Sequence, residues 1–214
     1  MSGALQATFQ NLRSFGAPVP SAIGAAYGGG FYAGQIGVSG VATHYLVVGP
    51  LASAESASKQ YKTTDTATTG TNSVIDGPTN STNMNNASHP AAEFCEGLTI
   101  GGFSDWYLPA KNELEVCYFN LRPTATANNT GSGINANAVP ARASNYTTGN
   151  PARTSVTDFQ SGGSEAFTNV VYWSSSESTT DARYAFRQNF YNGFQGATGK
   201  VNTNRVRAIR RVAV

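Results

Sequence analysis

The chain has 214 residues with 14 Lys and Arg against 12 Asp and Glu, a net charge of +2. Its 40% apolar content is enough to bury a core, which excludes disorder along the whole length, and a balance so near neutral gives no electrostatic footprint for nucleic acid. Charged residues make up only 12%, whereas Ser, Thr, Asn and Gly together supply about two fifths of the chain, so hydroxyls and amides must keep the surface soluble; that reads as a surface adapted for assembly.

Residues 1–27 combine Leu5, Phe9 and Leu12 near helical spacing with a Gly/Ala/Pro-rich run. We read them as an N-terminal arm that docks on a partner, leaving 28–214 as one domain. No basic segment followed by an apolar run opens the chain, and no stretch reaches the roughly 18 apolar residues of a membrane span, so the expectation is a soluble protein without membrane insertion.

Strands are predicted over 31–36 and 43–48, the second carried by Tyr45, Leu46, Val47 and Val48 and ended by Gly49-Pro50. Residues 63–88 are nearly all small and polar and read as a long loop. A helix over 88–96 follows from Pro90 in its first turn and from the i, i+3, i+4, i+7 spacing of Ala91, Phe94, Cys95 and Leu98. A second helix starts at Pro109, with Leu114, Cys117, Tyr118 and Leu121 at the same spacing, and stops at Pro123. Residues 123–168 form another polar insertion. Three strands follow, over 170–174, 182–191 and 205–214; in the middle one Tyr184, Phe186 and Phe190 are expected to share the core face. Tyr191-Asn192-Gly193-Phe194 reads as a hairpin tip with a type I′ turn.

Cys95 and Cys117, on the apolar faces of the two helices, are expected to be buried free thiols. His44 and His89 lack the accompanying ligands of a metal site, and the loose Gly-x-Gly patterns sit in no βαβ unit, so no metal or cofactor is expected. Arg205, Arg207 and Arg211 alternate with Val206, Ala208 and Val212 as in an ordinary half-exposed strand, which again speaks against a phosphate-binding patch.

Four ordered blocks carry a family likeness: Gly102-Phe103-Ser104-Asp105-Trp106-Tyr107-Leu108-Pro109-Ala110-Lys111-Asn112-Glu113-Leu114, then Tyr172-Trp173-Ser174-Ser175-Ser176-Glu177, Gln188-Asn189-Phe190, and Arg205-Val206-Arg207-Ala208-Ile209-Arg210. Over about 87–214 the chain resembles the C-type-lectin-like domain that ends bacterial collagen-like adhesins and occurs in many phage structural proteins. The resemblance implies an α+β fold, two helices on a small twisted antiparallel sheet, with long loops presenting a binding surface and an activity that is mostly adhesion. The Glu-Pro-Asn, Gln-Pro-Asp and Trp-Asn-Asp tripeptides of calcium-dependent sugar binding are absent.

Within those blocks Trp106 and Trp173 are expected to be core, and Glu113 to pin its helix to the last strand through Arg207 or Arg210. Tyr191, Asn192, Phe194 and Gln195 at the tip, with Arg187 on the strand before it, are the candidate ligand-binding residues, because exposed aromatics flanked by amides give contact area and adaptable hydrogen bonds. No catalytic residue is assigned. The sequence reading is a non-enzymatic bacteriophage virion protein, held to other virion proteins through residues 1–27, homo-oligomeric, and binding a host-surface glycan or protein. The alternatives are a capsid or tail cementing protein without a host ligand, and an enzyme of the formylglycine-generating type.

Overall fold

A computed structural model describes residues 20–214. The arm expected over 1–27 therefore lies mostly outside the described residues. Its last residues are part of the domain: Gly24 N donates to Tyr32 O at 2.8 Å, Ile23 packs on the core, and β1 (Ala26–Tyr27) pairs with β2 (Gly30–Val38). A boundary after 27 falls in the turn between β1 and β2 and separates two paired strands.

Two five-stranded sheets form the domain, more than the one small sheet expected. In the first, β2 sits between β1 and β3 (Val41–Val48), β3 pairs with β10 (Ile209–Ala213), and β5 (Ala138–Val139) adds to β2 from the long insertion. The second runs β4 (Glu55–Gln60), β9 (Thr203–Arg207), β6 (Val171–Glu177), β7 (Tyr184–Asn189) and β8 (Gln195–Gly199). All pairs are antiparallel except β6 with β9. The single strand expected over 205–214 is divided between the sheets. At Ala208 the chain leaves one sheet for the other, its N–H donating to Ala54 O at 2.9 Å and its carbonyl accepting from Gly49 N at 3.0 Å. The break satisfies both backbone groups locally, so nothing in the apolar pattern marks it.

Four helices are described: α1 (Leu51–Ala54), α2 (Gly77–Asn83), α3 (Pro90–Glu96) and α4 (Lys111–Leu121). The stripe Leu114, Cys117, Tyr118 and Leu121 of α4 is buried against Ala33, Ile36, Leu46 and Val48 of the first sheet and Tyr172 of the second. At about 1.5–3 kcal/mol for each large apolar side chain, this helix anchors the main core. It lies close on β2 because Gly34 forms a bulge with φ +128°; a Cβ there would come within 2.4 Å of Asn120 Nδ2, which instead donates to Ala33 O at 2.8 Å. A second core cluster gathers Ala91, Ala92 and Cys95 of α3 with Trp106, Trp173, Tyr61 and Val206.

Helix α2 falls in the stretch read as a loop. Asp76 caps it by accepting from Thr79 N at 3.3 Å, and its buried side is polar: Asn80 Nδ2 donates to Ser73 O at 2.7 Å, and Ser81 Oγ accepts from Leu108 N at 3.1 Å. The face of β7 also differs from expectation. Ala185 and Gln188 are buried, while Tyr184 is exposed and Phe186 is half-buried beneath the Lys111 ammonium. Phe190 is buried, but it lies in the turn past the strand end, where strand alternation no longer sets its direction.

Candidate functional site

The connection between β7 and β8 is longer than a two-residue turn. Asn189 N donates to Phe194 O at 2.9 Å and Gly193 N donates to Asn189 O at 2.7 Å, and of the tip residues only Gly193 has positive φ, at +76°. The expected type I′ turn, which needs two such residues, is therefore a five-residue loop over 190–194. Asn192 Oδ1 accepts from Phe194 N at 3.1 Å and closes the loop from within.

The polar insertion holds this loop in place. Thr124 Oγ1 donates to Tyr191 O at 2.9 Å, Asn129 N donates to Asn192 O at 2.8 Å, and Gln195 N donates to Ser132 Oγ at 2.9 Å. Gly133 N donates to Gln195 Oε1 at 3.2 Å. Beneath the loop, the rings of Tyr118 and Tyr146 would meet any Cβ at Gly193, at 2.5 and 2.8 Å. The Tyr146 hydroxyl donates to Glu115 Oε1 at 2.7 Å, and Glu115, wholly buried on α4, also accepts from Asn135 Nδ2 at 2.6 Å and pairs with Arg142. Asn128 fixes the insertion: its Oδ1 accepts from Tyr118 Oη at 2.7 Å, and its Nδ2 donates to Pro151 O at 2.9 Å and Thr147 O at 3.1 Å.

On this fixed backbone Tyr191 and Phe194 stand out at 48% and 41% exposure, with Ile134 of the adjoining insertion at 55%. Phe194 lies over Gly196, where a Cβ would meet its ring at 2.7 Å. Arg187 stands opposite Gly196 in the β7–β8 register, and cross-strand neighbours share a face, so Arg187 is on the Phe194 side. The structure thus places Phe194 and Arg187 on one face of the hairpin, with Tyr191 and Asn192 in the loop between the strands, whereas Gln195, the cross-strand partner of buried Gln188, projects from the opposite face toward the insertion. Asn192 Oδ1 is engaged within the loop by Phe194 N, and Gln195 Oε1 is engaged by Gly133 N of the insertion. Sequence reasoning missed Ile134, a lone apolar residue in a polar run, and Glu115, an acid between Leu114 and Val116 in an apolar helix.

Trp106 and Trp173 are buried in the second cluster, their ring N–H groups donating to Phe103 O at 3.1 Å and Lys59 O at 3.0 Å. Glu113 does tie α4 to the last strand, but its partner is Arg211: Arg211 Nε donates to Glu113 Oε1 at 2.6 Å, beside donors from Tyr107 Oη at 2.6 Å and Ala110 N at 2.7 Å. Burial pushes this carboxyl above the usual range, with Arg211 opposing. The partners expected for it are engaged elsewhere, because the switch at Ala208 shifts the phase of the strand. Arg207 is buried in the second sheet and donates to Glu165 Oε2 at 2.9 Å, while Arg210 donates to Asp105 Oδ1 at 2.7 Å and lies over the Phe103 ring. Arg205 pairs with Glu55 at 2.8 Å. The half-exposed basic strand is thus a set of ion pairs, with Arg207 and Arg210 buried.

Cys95 and Cys117 are free and fully buried in different core clusters, and burial pushes both thiols well up. His89 is buried between Thr68 Oγ1 at 3.0 Å and Asn86 Oδ1 at 2.9 Å. Among the described residues no three His, Cys, Asp or Glu side chains gather as metal ligands, and no helix is long and apolar enough to cross a membrane.

No curated protein matches the chain. The family model that matches covers 57–210, from within β4 to the start of β10, so β1–β3 lie ahead of it. That span is well over half of the 214 residues, and the chain belongs to the family of the Lcl C-terminal domain.

Proposed function

We propose that this chain is a non-enzymatic display module whose rigid β7–β8 tip binds a glycan or protein on a host surface. The observation that carries the reading is the pairing of exposed Tyr191 and Phe194 with a backbone fixed from the insertion at Tyr191 O, Asn192 O and Gln195 N. Aromatic anchors on a pre-ordered loop lose little conformational freedom on binding, and each offers an apolar face to a sugar ring or side chain. Membership of the Lcl C-terminal domain family supports an adhesin-like role. We infer a bacteriophage virion as the setting, with the segment before the domain as the link to other virion proteins.

The test is a double variant, Tyr191→Ala with Phe194→Ala, assayed for attachment to host cells and for thermal unfolding. Attachment reduced at least about ten-fold with unfolding unchanged is the expected result. Unchanged attachment with weakened particles would instead favour the cementing role.

A further inference from the structure

A cavity of about 230 Å³ opens on the first sheet and shares no residue with the β7–β8 tip. Ile36 and Val38 of β2, His44 of β3, Ile75 and Asp76 just before α2, and Arg211 of β10 line it. Its walls are fixed from several sides. Ser39 and Gly40, at φ +53° and +80°, form the two-residue turn that pairs Val38 with Val41; two positive φ angles in succession are the mark of type I′. Strand β5 pairs with β2 at Ile36, and Gly37 N donates to Asn137 O at 2.8 Å. Across the cavity, Ile75 packs on the main core and Asp76 N donates to Ser73 Oγ at 2.9 Å. The shape is therefore set before any ligand arrives.

Three polar side chains on this aliphatic wall keep hydrogen-bonding capacity to spare. Thr43 Oγ1 donates to Ile36 O at 3.2 Å, so its oxygen accepts from His44 Nδ1 at 3.0 Å, and in the neutral ring Nε2 is left as an acceptor. Burial and the nearby Arg211 charge lower the pKa of His44 below 6.5, against Asp76, which keeps the ring neutral at pH 7. Arg211 spends Nε on Glu113 Oε1 and Nη2 on Ile75 O, whereas Nη1 stands 3.7 Å from Asp76 Oδ1, beyond hydrogen-bond reach. Asp76 Oδ1 accepts only a long bond from Thr79 N, at 3.3 Å, and Oδ2 has no partner among the described residues.

We propose that this cavity is a second binding site, for a single neutral sugar ring or a polyol of that size, with Asp76, Arg211 and His44 as its polar contacts. The donor and acceptor set selects the class. A carboxylate or phosphate would face Asp76 and would find the guanidinium already paired on Nε and Nη2, with buried Glu113 holding its charge. A cation could use Asp76 but has nothing to offer Arg211 Nη1. A hydroxyl accepts from Nη1 and donates to the carboxylate at once, and a second hydroxyl on the next carbon can donate to His44 Nε2. The aliphatic side chains of Ile36, Val38 and Ile75 suit the C–H face of the ring. At about 230 Å³ the cavity falls below the roughly 300–1,000 Å³ of sites for larger molecules, so it takes one ring and not a chain of them.

The site and the tip have no residue in common, so either assignment can fail alone. The test titrates the isotope-labelled full chain with D-glucose, D-galactose, D-mannose, L-rhamnose and L-fucose, and with sodium D-glucuronate as the charged control, following backbone amide shifts by NMR. At least one neutral sugar is expected to give saturable shifts at Ile36, Val38, His44, Asp76 and Arg211, with a Kd of about a millimolar, and glucuronate to bind at least about ten-fold more weakly. Asp76→Ser keeps a capping oxygen for Thr79 N but is too short to reach the ligand, and His44→Leu removes Nε2 at similar volume. Each is expected to weaken binding at least about ten-fold, with thermal unfolding unchanged for Asp76→Ser even if His44→Leu is destabilised, while the Tyr191→Ala, Phe194→Ala double variant binds as the wild type does. No saturable shift at these residues with any of the neutral sugars, shifts confined to the tip, glucuronate binding as tightly as they do, or affinity unchanged in Asp76→Ser overturns the assignment.

Discussion

Replacing Gly193 by alanine tests whether the tip is held as described. At φ +76° an L residue costs about 1–2 kcal/mol relative to its right-handed alternatives. The added Cβ would lie 2.5 Å from Tyr118 Cε1 and 2.8 Å from Tyr146 Cε2. Neither ring is free to move aside. Tyr118 donates to Asn128 at 2.7 Å and packs edge-on against Phe190 at 5.5 Å, and Tyr146 donates to Glu115 at 2.7 Å. Overpacking of this kind costs about 1–3 kcal/mol, giving a total of about 2–5 kcal/mol. Gly102→Ala supplies the control, since Gly102 has nearly the same φ, +81°, with nothing within 4 Å of an added Cβ; it should cost only the backbone part, about 1–2 kcal/mol. Urea denaturation with linear extrapolation measures both. If Gly193→Ala is no more destabilising than Gly102→Ala, the rings do not buttress the tip and the argument for a rigid recognition loop fails.

Two further outcomes follow from buried ionisable groups. His89 is 5% exposed, and burial together with Lys62 and Lys200 lowers its pKa from 6.5 to about 4. The folded state therefore favours the neutral ring, whose contribution is complete above pH 6.5 and is lost as the pH falls toward 4, by at most about 3 kcal/mol; the difference in stability between wild type and His89→Gln should narrow over that window, and a difference independent of pH would refute the assignment. Glu113→Ala removes the close carboxylate partner of Arg211, leaving it only Asp76 at 3.7 Å, and takes away the acceptor of Tyr107 Oη; it should cost about 3–5 kcal/mol in equilibrium unfolding, and a loss below about 1 kcal/mol would mean that solvent reaches the pair.

Elements whose burial is apolar were legible in the sequence. Strands β2 and β3 and helices α3 and α4 each present an apolar pattern with the period of their structure, and all four lie within two or three residues of their predicted spans. Helix α2 and strand β4 were not legible, because Asn80 and Ser81 seat the one through hydrogen bonds and the other, Glu-Ser-Ala-Ser-Lys-Gln, contains no β-branched or aromatic residue. The tip residues could be named from the sequence, since Asn-Gly between aromatics marks a turn by local chemistry. Its supports could not, because Thr124, Asn129 and Ser132 are more than 60 residues away in the chain and bond largely to backbone atoms, which no side-chain pattern reveals. The Glu113 partner was missed by one position because strand alternation was carried through Ala208, where the chain changes sheets.

The scarcity of charge also takes on a second meaning. Read as a surface property, an excess of amides and hydroxyls speaks of assembly; yet Asn80, Asn128 and Asn135 are buried, as are Ser174, Ser175 and Ser176. A long insertion with few apolar residues cannot be ordered by burial of hydrocarbon alone. Asn128 answers this by tying Tyr118, Thr147 and Pro151 together, and Asn135 by donating to Asn112 O at 2.8 Å and to Glu115. Each amide is worth about 1 kcal/mol net per bond while its partners hold, and leaves several buried groups unpaired when removed. Order in the insertion is therefore cooperative, and because the insertion supplies the contacts at Tyr191, Asn192 and Gln195, the tip takes its rigidity from a polar interior as well as from Tyr118, Tyr146 and Phe190 of the core below it.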